Sequence, residues 1–212
     1  PKPFNRLTGN GCHAHVSIWD EKGTTNLFLN EKGELGLSKL AYLFLGGILH
    51  NADSLAAIFN PSVNSYKRIN AQVTLSGATW SPNAISYSGN NRTHLVRIPE
   101  PGRFECRLMD GSANPYLLQA ALLMAGMDGL ENQRDPGKRL DLNMYTEGHK
   151  IRRIRKLPLN LLDAIRQFDK SRIVRNGLGD ALVDSYVKLK LNEWQSYSSN
   201  ISDWERDYTL DC

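Results

Sequence analysis

The chain has 212 residues, of which 41% are apolar and 23% charged, with a formal net charge of +4. This balance excludes a disordered low-complexity chain and a disulfide-dense scaffold, and the length suits one globular unit or one with a small appendage. The three cysteines, Cys12, Cys106 and Cys212, are odd in number and far apart, so no disulfide framework or zinc site is read from them and a reducing, cytoplasmic setting is expected.

Residues 12 to 19 alternate in character: Cys12, Ala14, Val16 and Ile18 point one way, and His13, His15, Ser17 and Trp19 the other. Period-two alternation predicts a strand with a polar working face. Glu21-Lys22-Gly23 reads as a turn and Asn26 to Leu29 as a return strand. Ser38 is a suitable N-cap for a helix whose apolar residues run from Leu40 to Phe59 at helical spacing, stopped by Asn60-Pro61. Its most apolar stretch, Leu40 to Leu49, is shorter than a bilayer span, and no membrane partner is expected. Ile69 to Asn91 contains no Asp or Glu and reads as a long loop with short strands, a length that usually signals function or disorder. Arg103 to Leu108 alternates again, with Arg103, Glu105 and Arg107 on one face and Phe104, Cys106 and Leu108 on the other. Asn114-Pro115 opens a helix reaching about Gly129, and two amphipathic helices follow near Leu161 to Phe168 and Gly179 to Trp194. The order, mostly strands first and helices later, suggests an α+β fold, with a strand-rich active-site part over 1–110 and a helical part over 111–212.

Three features carry chemistry. His13, His15 and Ser17 share a strand face beside the flexible Gly9-Asn10-Gly11, an arrangement able to present imidazoles to a metal or phosphate; the plainer reading is a polar face turned to water. Arg68, Arg92, Arg97, Arg103 and Arg107 fall within 40 residues, and each offers a permanently cationic fork for carboxylate or phosphate. A ladder of surface ion pairs would explain some of them, but a loop without acids leaves an external anion as the better counter-charge. Glu105 and His13 could share one divalent cation, which would need further carboxylates from elsewhere. The basic run Lys150 to Lys156 lacks the aromatic interleaving of a nucleic-acid patch and reads as a solvated or subunit-contacting helix face, so no nucleic-acid partner is expected.

These residues also resemble a known family. Lys2-Pro3-Phe4 with Thr8-Gly9-Asn10-Gly11-Cys12-His13 and Ser17, then Asn60-Pro61 through Asn64-Ser65-Tyr66-Lys67-Arg68, then Asn91-Arg92 with Arg97-Ile98-Pro99, then Arg103-Phe104-Glu105-Cys106-Arg107, then Asp110 with Asn114-Pro115-Tyr116, resemble glutamine synthetase motifs in the family's order. Ser76 to Trp80 and the ending Thr209 to Cys212 resemble the branch holding type III glutamine synthetases and γ-glutamylmethylamide synthetases, and do not separate the two.

The resemblance implies a curved antiparallel sheet forming a partial barrel, flanked by helices with a helical C-terminal tail. It implies an ATP-dependent ligase making a γ-glutamyl amide from glutamate and ammonia, with methylamine or a non-catalytic scaffold as alternatives. His13 and Glu105 would ligate Mg²⁺ or Mn²⁺. Gly9, Arg68 and Arg107 would hold glutamate, Arg92, Arg97 and Arg103 would act on the phosphates, and His15 and Ser17 would lie near ATP with Arg97 and Arg103. A cytoplasmic homo-oligomer of stacked rings is implied as well. The family's ammonium-binding glutamate has no counterpart between Ile69 and Asn91, and the lysine usual before Arg103 is absent. The chain starts at Pro1, directly in a motif, and a preceding portion carrying the remaining metal-binding glutamates is expected.

Overall fold

The computed structural model describes residues 1–69, 71 and 81–210. The expected loop Ser76 to Trp80 and the terminal Asp211-Cys212 therefore lie outside the described residues. Four strands, β1 (Ala14–Val16), β2 (Tyr87–Ser88), β3 (Val96–Glu100) and β4 (Arg103–Cys106), form one sheet in the order β1-β4-β3-β2. The α+β class holds. The sheet is antiparallel across β1, β4 and β3, but β2 joins β3 in parallel, so the whole is a small mixed sheet.

The helices are α1 (Lys39–Phe59), α2 (Val63–Ile69), α3 (Pro115–Glu131), α4 (Met144–Glu147), α5 (Leu161–Lys170), α6 (Arg172–Leu178), α7 (Asp180–Ser198) and α8 (Asp203–Thr209). Ser38 caps α1 by accepting the Ala41 N–H at 3.2 Å, which satisfies a donor that the first turn leaves open. Asn60 closes it, its N–H reaching the Ala56 carbonyl, and Pro61 cannot continue the helix. With 21 residues α1 is longer than the Leu40–Leu49 stretch read from sequence, and by length and composition alone it could cross a membrane. Its apolar window is 72% buried inside the fold, which is the behaviour of a core helix.

Two local readings need correction. Asn26 to Leu29 is not a strand but a pair of single bridges, Trp19 to Asn26 and Leu29 to Leu37. The Asn26 side chain accepts the Phe28 N–H and donates to the Gly102 carbonyl, both at 2.9 Å, and this local bonding competes with a ladder. The basic run at 150–156 is not a helix either. Its backbone pairs with the segment at 83–85, through an Ala84–Lys156 bridge and the Ile85 N–H to the Arg155 carbonyl at 2.8 Å.

Phe28, Phe44 and Phe104 join sheet to helix. Phe28 stacks on Phe104 with centroids 5.6 Å apart and meets Phe44 edge-on at the same separation. All three are buried, and each such ring removes a large apolar area from water. On the other side α1 crosses α3 closely because Gly47 faces it: a Cβ there would sit 2.0 Å from the Ala125 carbonyl oxygen. The core thus backs β4 and fixes the direction of its polar face.

Candidate active site

The register decides which side chains meet. His15 lies opposite Glu105, and Glu105 opposite Arg97, so strands β1, β4 and β3 set the three in one row across the sheet. On β4, Phe104 and Cys106 are buried in the core and Glu105 faces away from them, as the alternation requires. His13 and Arg107 extend the polar face beyond the paired residues.

Glu105 is the centre of this face, with only 3% of its surface exposed. Its Oε1 accepts from Arg107 Nη1 at 2.9 Å and lies 2.9 Å from His13 Nδ1. Its Oε2 accepts from Arg97 Nη1 at 2.9 Å. Burial by itself would raise the Glu105 carboxyl, but the Arg97 hydrogen bond and the charges of Arg107 and His13 outweigh it and hold it below the usual range. The His13 imidazole is shifted down, first by burial and then by the Arg107 charge. Glu105 is therefore ionised and His13 neutral near pH 7.

Arg68 approaches from the last turn of α2. It is buried, and its Nη1 donates to the Leu108 carbonyl at 3.0 Å. Burial lowers its pKa, with Asp110 opposing. The glycines of Gly9-Asn10-Gly11 lie against it. A Cβ on Gly11 would stand 2.8 Å from Arg68 Nη2 and 3.0 Å from His13 Nε2, and one on Gly9 would strike the Pro1 carbonyl oxygen at 2.3 Å. A side chain on Gly9 would meet backbone, whereas one on Gly11 would displace the ends of the Arg68 and His13 side chains.

A second group lies along the same face. Arg103 bonds His15 Nδ1 and donates through Nε to Glu100 at 2.6 Å. Ser17 accepts the Trp19 indole N–H at 3.1 Å. His15 and Ser17 are exposed, as a polar strand face predicts.

The structure brings Gly9, His13, Arg68, Arg97, Glu105 and Arg107 together, and sets His15 and Arg103 beside them. Arg92 differs: it is exposed in the turn between β2 and β3. Sequence reasoning missed the residues that hold the arginines. Asn90 Oδ1 accepts from Arg97 Nε at 2.8 Å. The wholly buried Asn60 donates to the Leu108 carbonyl at 2.9 Å and to Asp110 at 3.1 Å, and that same carbonyl receives Arg68. Asn60 belongs to a motif and Asn90 stands next to one, but nothing in their spacing signals a link to an arginine.

The donor set fits one small divalent cation in part. His13 would offer an imidazole nitrogen and Glu105 a carboxylate oxygen, which lie 2.9 Å apart. Among the described residues no third His, Cys, Asp or Glu joins them. Arg97 and Arg107 share the Glu105 carboxylate, while Arg68 has the Asp110 charge near it.

Comparison with known proteins gives the chain's relatives. The family model described as glutamine synthetase, catalytic domain, matches residues 1–209. A glutamine synthetase of Rhizobium leguminosarum bv. phaseoli is 56% identical over 211 residues, covering 100% of this chain and 48% of that protein. A glutamate–methylamine ligase of Methyloversatilis universalis is 45% identical over 210 residues, covering 97% and 47%. A solved structure described as a GmaS/ADP complex aligns with TM-score 0.93 at 58% identity, over 100% of this chain and 48% of that one. The chain spans about half the length of the curated relatives it matches.

Proposed function

This chain belongs to the glutamine synthetase catalytic-domain family, and we propose that it acts as part of an ATP-dependent ligase that joins an amine to the side-chain carboxylate of glutamate. The observation that carries the reading is the buried row of polar groups on one sheet face: Arg97 and Arg107 both bond Glu105, and His13 lies against the same carboxylate. In this reading the glutamate carboxylate oxygen attacks the γ-phosphorus of ATP and ADP leaves. The amine nitrogen then attacks the acyl carbon, the carbon–oxygen bond to phosphate breaks, and the nitrogen sheds a proton. Such chemistry needs positioning and cancellation of charge more than covalent help. Arg68 and Arg107, with the Gly9 backbone, hold glutamate. Arg97 and Arg103 face the transferred phosphate, with His15 and Ser17 toward the nucleotide; a role for Arg92 would need its exposed turn to move toward the phosphates. His13 and Glu105 hold Mg²⁺ or Mn²⁺, which when bound screens phosphate charge.

Two amines fit the scaffold. Ammonia is the first reading, in keeping with the relatives named glutamine synthetase. Methylamine is the second, favoured by the absence of any acid from Ile69 to Asn91 and by the likeness to the methylamine ligase and to GmaS. A cytoplasmic homo-oligomer belongs to the same proposal, and light scattering checks the assembly. The deciding experiment uses protein of the relatives' full length, given glutamate, ATP and Mg²⁺ with ammonia or methylamine. Phosphate release and the mass of the product are followed. Release that needs glutamate and one amine supports the ligase and names the amine; release independent of both overturns it.

A further inference from the structure

A second cationic cleft shares no lining residue with the Glu105 face. A cleft of about 360 Å³ opens between residues 83–84 and the segment from Met144 to Lys156. His149, Arg152, Lys156 and Asn83 line it, and among the described residues no acidic side chain does. Its apolar lining includes Met144, Ile151 and Ile154. The neighbouring cations are engaged: Lys150 pairs with Glu147 and Arg155 with Asp53, at 2.8 and 2.9 Å. Among the described residues neither Arg152 nor Lys156 makes an ion pair. Arg153, which also makes no ion pair among the described residues, lines a different cleft.

The walls are fixed to each other by backbone bonds. Ala84 and Lys156 form a bridge, the Leu157 N–H donates to the Asn83 carbonyl at 3.0 Å, and the Tyr145 hydroxyl donates to the Ser81 carbonyl at 3.3 Å. Such a site is formed before a ligand arrives, which lowers the ordering cost of binding. Two permanent cations and an imidazole match a dianionic head better than a single carboxylate, and the arginine fork suits phosphate oxygens. Among the described residues no aromatic side chain lines the cleft, and its volume suits a small molecule.

We propose that this cleft binds small organic phosphate esters, with the head group on His149, Arg152 and Lys156 and the apolar body on Met144, Ile151 and Ile154. The claim does not depend on the ligase reading. The chain has four methionines, and Met144 is the one in this cleft, while Met124 and Met127 line a separate cleft. Methyl-labelled methionine in the full chain therefore gives a site-resolved probe. Phenyl phosphate is expected to shift the Met144 methyl saturably and leave Met109, Met124 and Met127 in place. Joint replacement Arg152→Gln and Lys156→Gln is expected to weaken that binding at least about tenfold, since each lost charge-assisted contact contributes on the order of a few-fold to tenfold or more. Arg166→Gln, an exposed change on α5, is expected to leave it unchanged. Unmoved signals from the other three methionines in each variant show that the fold is intact. A Met144 signal unmoved by phenyl phosphate would overturn the assignment. So would a shift equally strong in the double variant, or an equal response to uncharged benzyl alcohol. Inorganic phosphate binding as tightly as phenyl phosphate would overturn the organic half of it.

Discussion

The sheet face around Glu105 and the helical region after residue 160 both carry many charges, and they use them differently. At Glu105 the carboxylate and Arg107 are almost wholly buried, and the ion pairs are locked in a row set by strand register. Around the α6–α7 elbow, Arg175 bonds Asp169, Asp180 and Asp184, yet all three carboxylates are well exposed. The second cluster has more partners per arginine and less water-excluding structure. Partner number is therefore a poor guide to importance here. Low dielectric makes charges interact strongly and makes a missing partner expensive, whereas exposed pairs are screened.

Glu105→Ala is the sharpest way to test that contrast. It leaves Arg97 and Arg107 without their shared carboxylate in a buried setting, and is expected to cost about 3–5 kcal/mol of stability in urea unfolding. A cost close to zero would mean water already reaches the site. Asp128 offers an intermediate case. It is 12% exposed at the side chain and binds both Asn51, at 2.8 Å, and Arg134. Asp128→Ala is expected to cost about 1–3 kcal/mol, because the Asn51 amide loses a partner in a partly buried place.

His94 tests burial without ion pairing. It is fully buried between Ser86 Oγ and the Leu142 carbonyl, each at 3.0 Å, and burial is the main cause holding its pKa below 6.5. The unfolded imidazole takes up a proton below about pH 6.5 that the folded ring refuses. Stability from this group is therefore present above that value and lost as pH falls, with a slope of at most about 1.4 kcal/mol per pH unit. Urea midpoints measured from pH 8 to pH 5 should fall toward acid, and His94→Gln should flatten the slope. Arg175→Ala is the smallest expected effect: the melting midpoint should stay within experimental error despite three lost ion pairs.

The parts of the fold legible in sequence are those governed by short-range patterns. Ser38 and Asn60-Pro61 bracket α1 because capping and proline chemistry are local, and Asn114-Pro115 starts α3 for the same reason. The polar faces of 13–17 and 103–107 follow from alternation alone. What was illegible depends on distant pairing. The basic run at 150–156 carries helix-friendly residues, but its backbone bonds to 83–85 decide its shape. The parallel alignment of β2 with β3 is likewise a tertiary fact. In the site, the arginines were visible as residues, while the Asn90 bond to Arg97 and the Leu108 carbonyl shared by Asn60 and Arg68 became visible only with the fold in place.

The central claim is that the buried polar face is half of a metal and anion site and not merely a structural ion-pair network. The direct measurement is Mn²⁺ affinity, followed by electron paramagnetic resonance in protein of the relatives' full length, for the parent and for Glu105→Gln. The substitution keeps the carboxylate's shape and removes its charge. The expected result is affinity weakened by about tenfold or more, in the range found when metal-site groups are altered, with the fold retained in circular dichroism. Equal Mn²⁺ affinity in the two proteins would contradict the claim and leave Glu105 as a structural partner of Arg97 and Arg107.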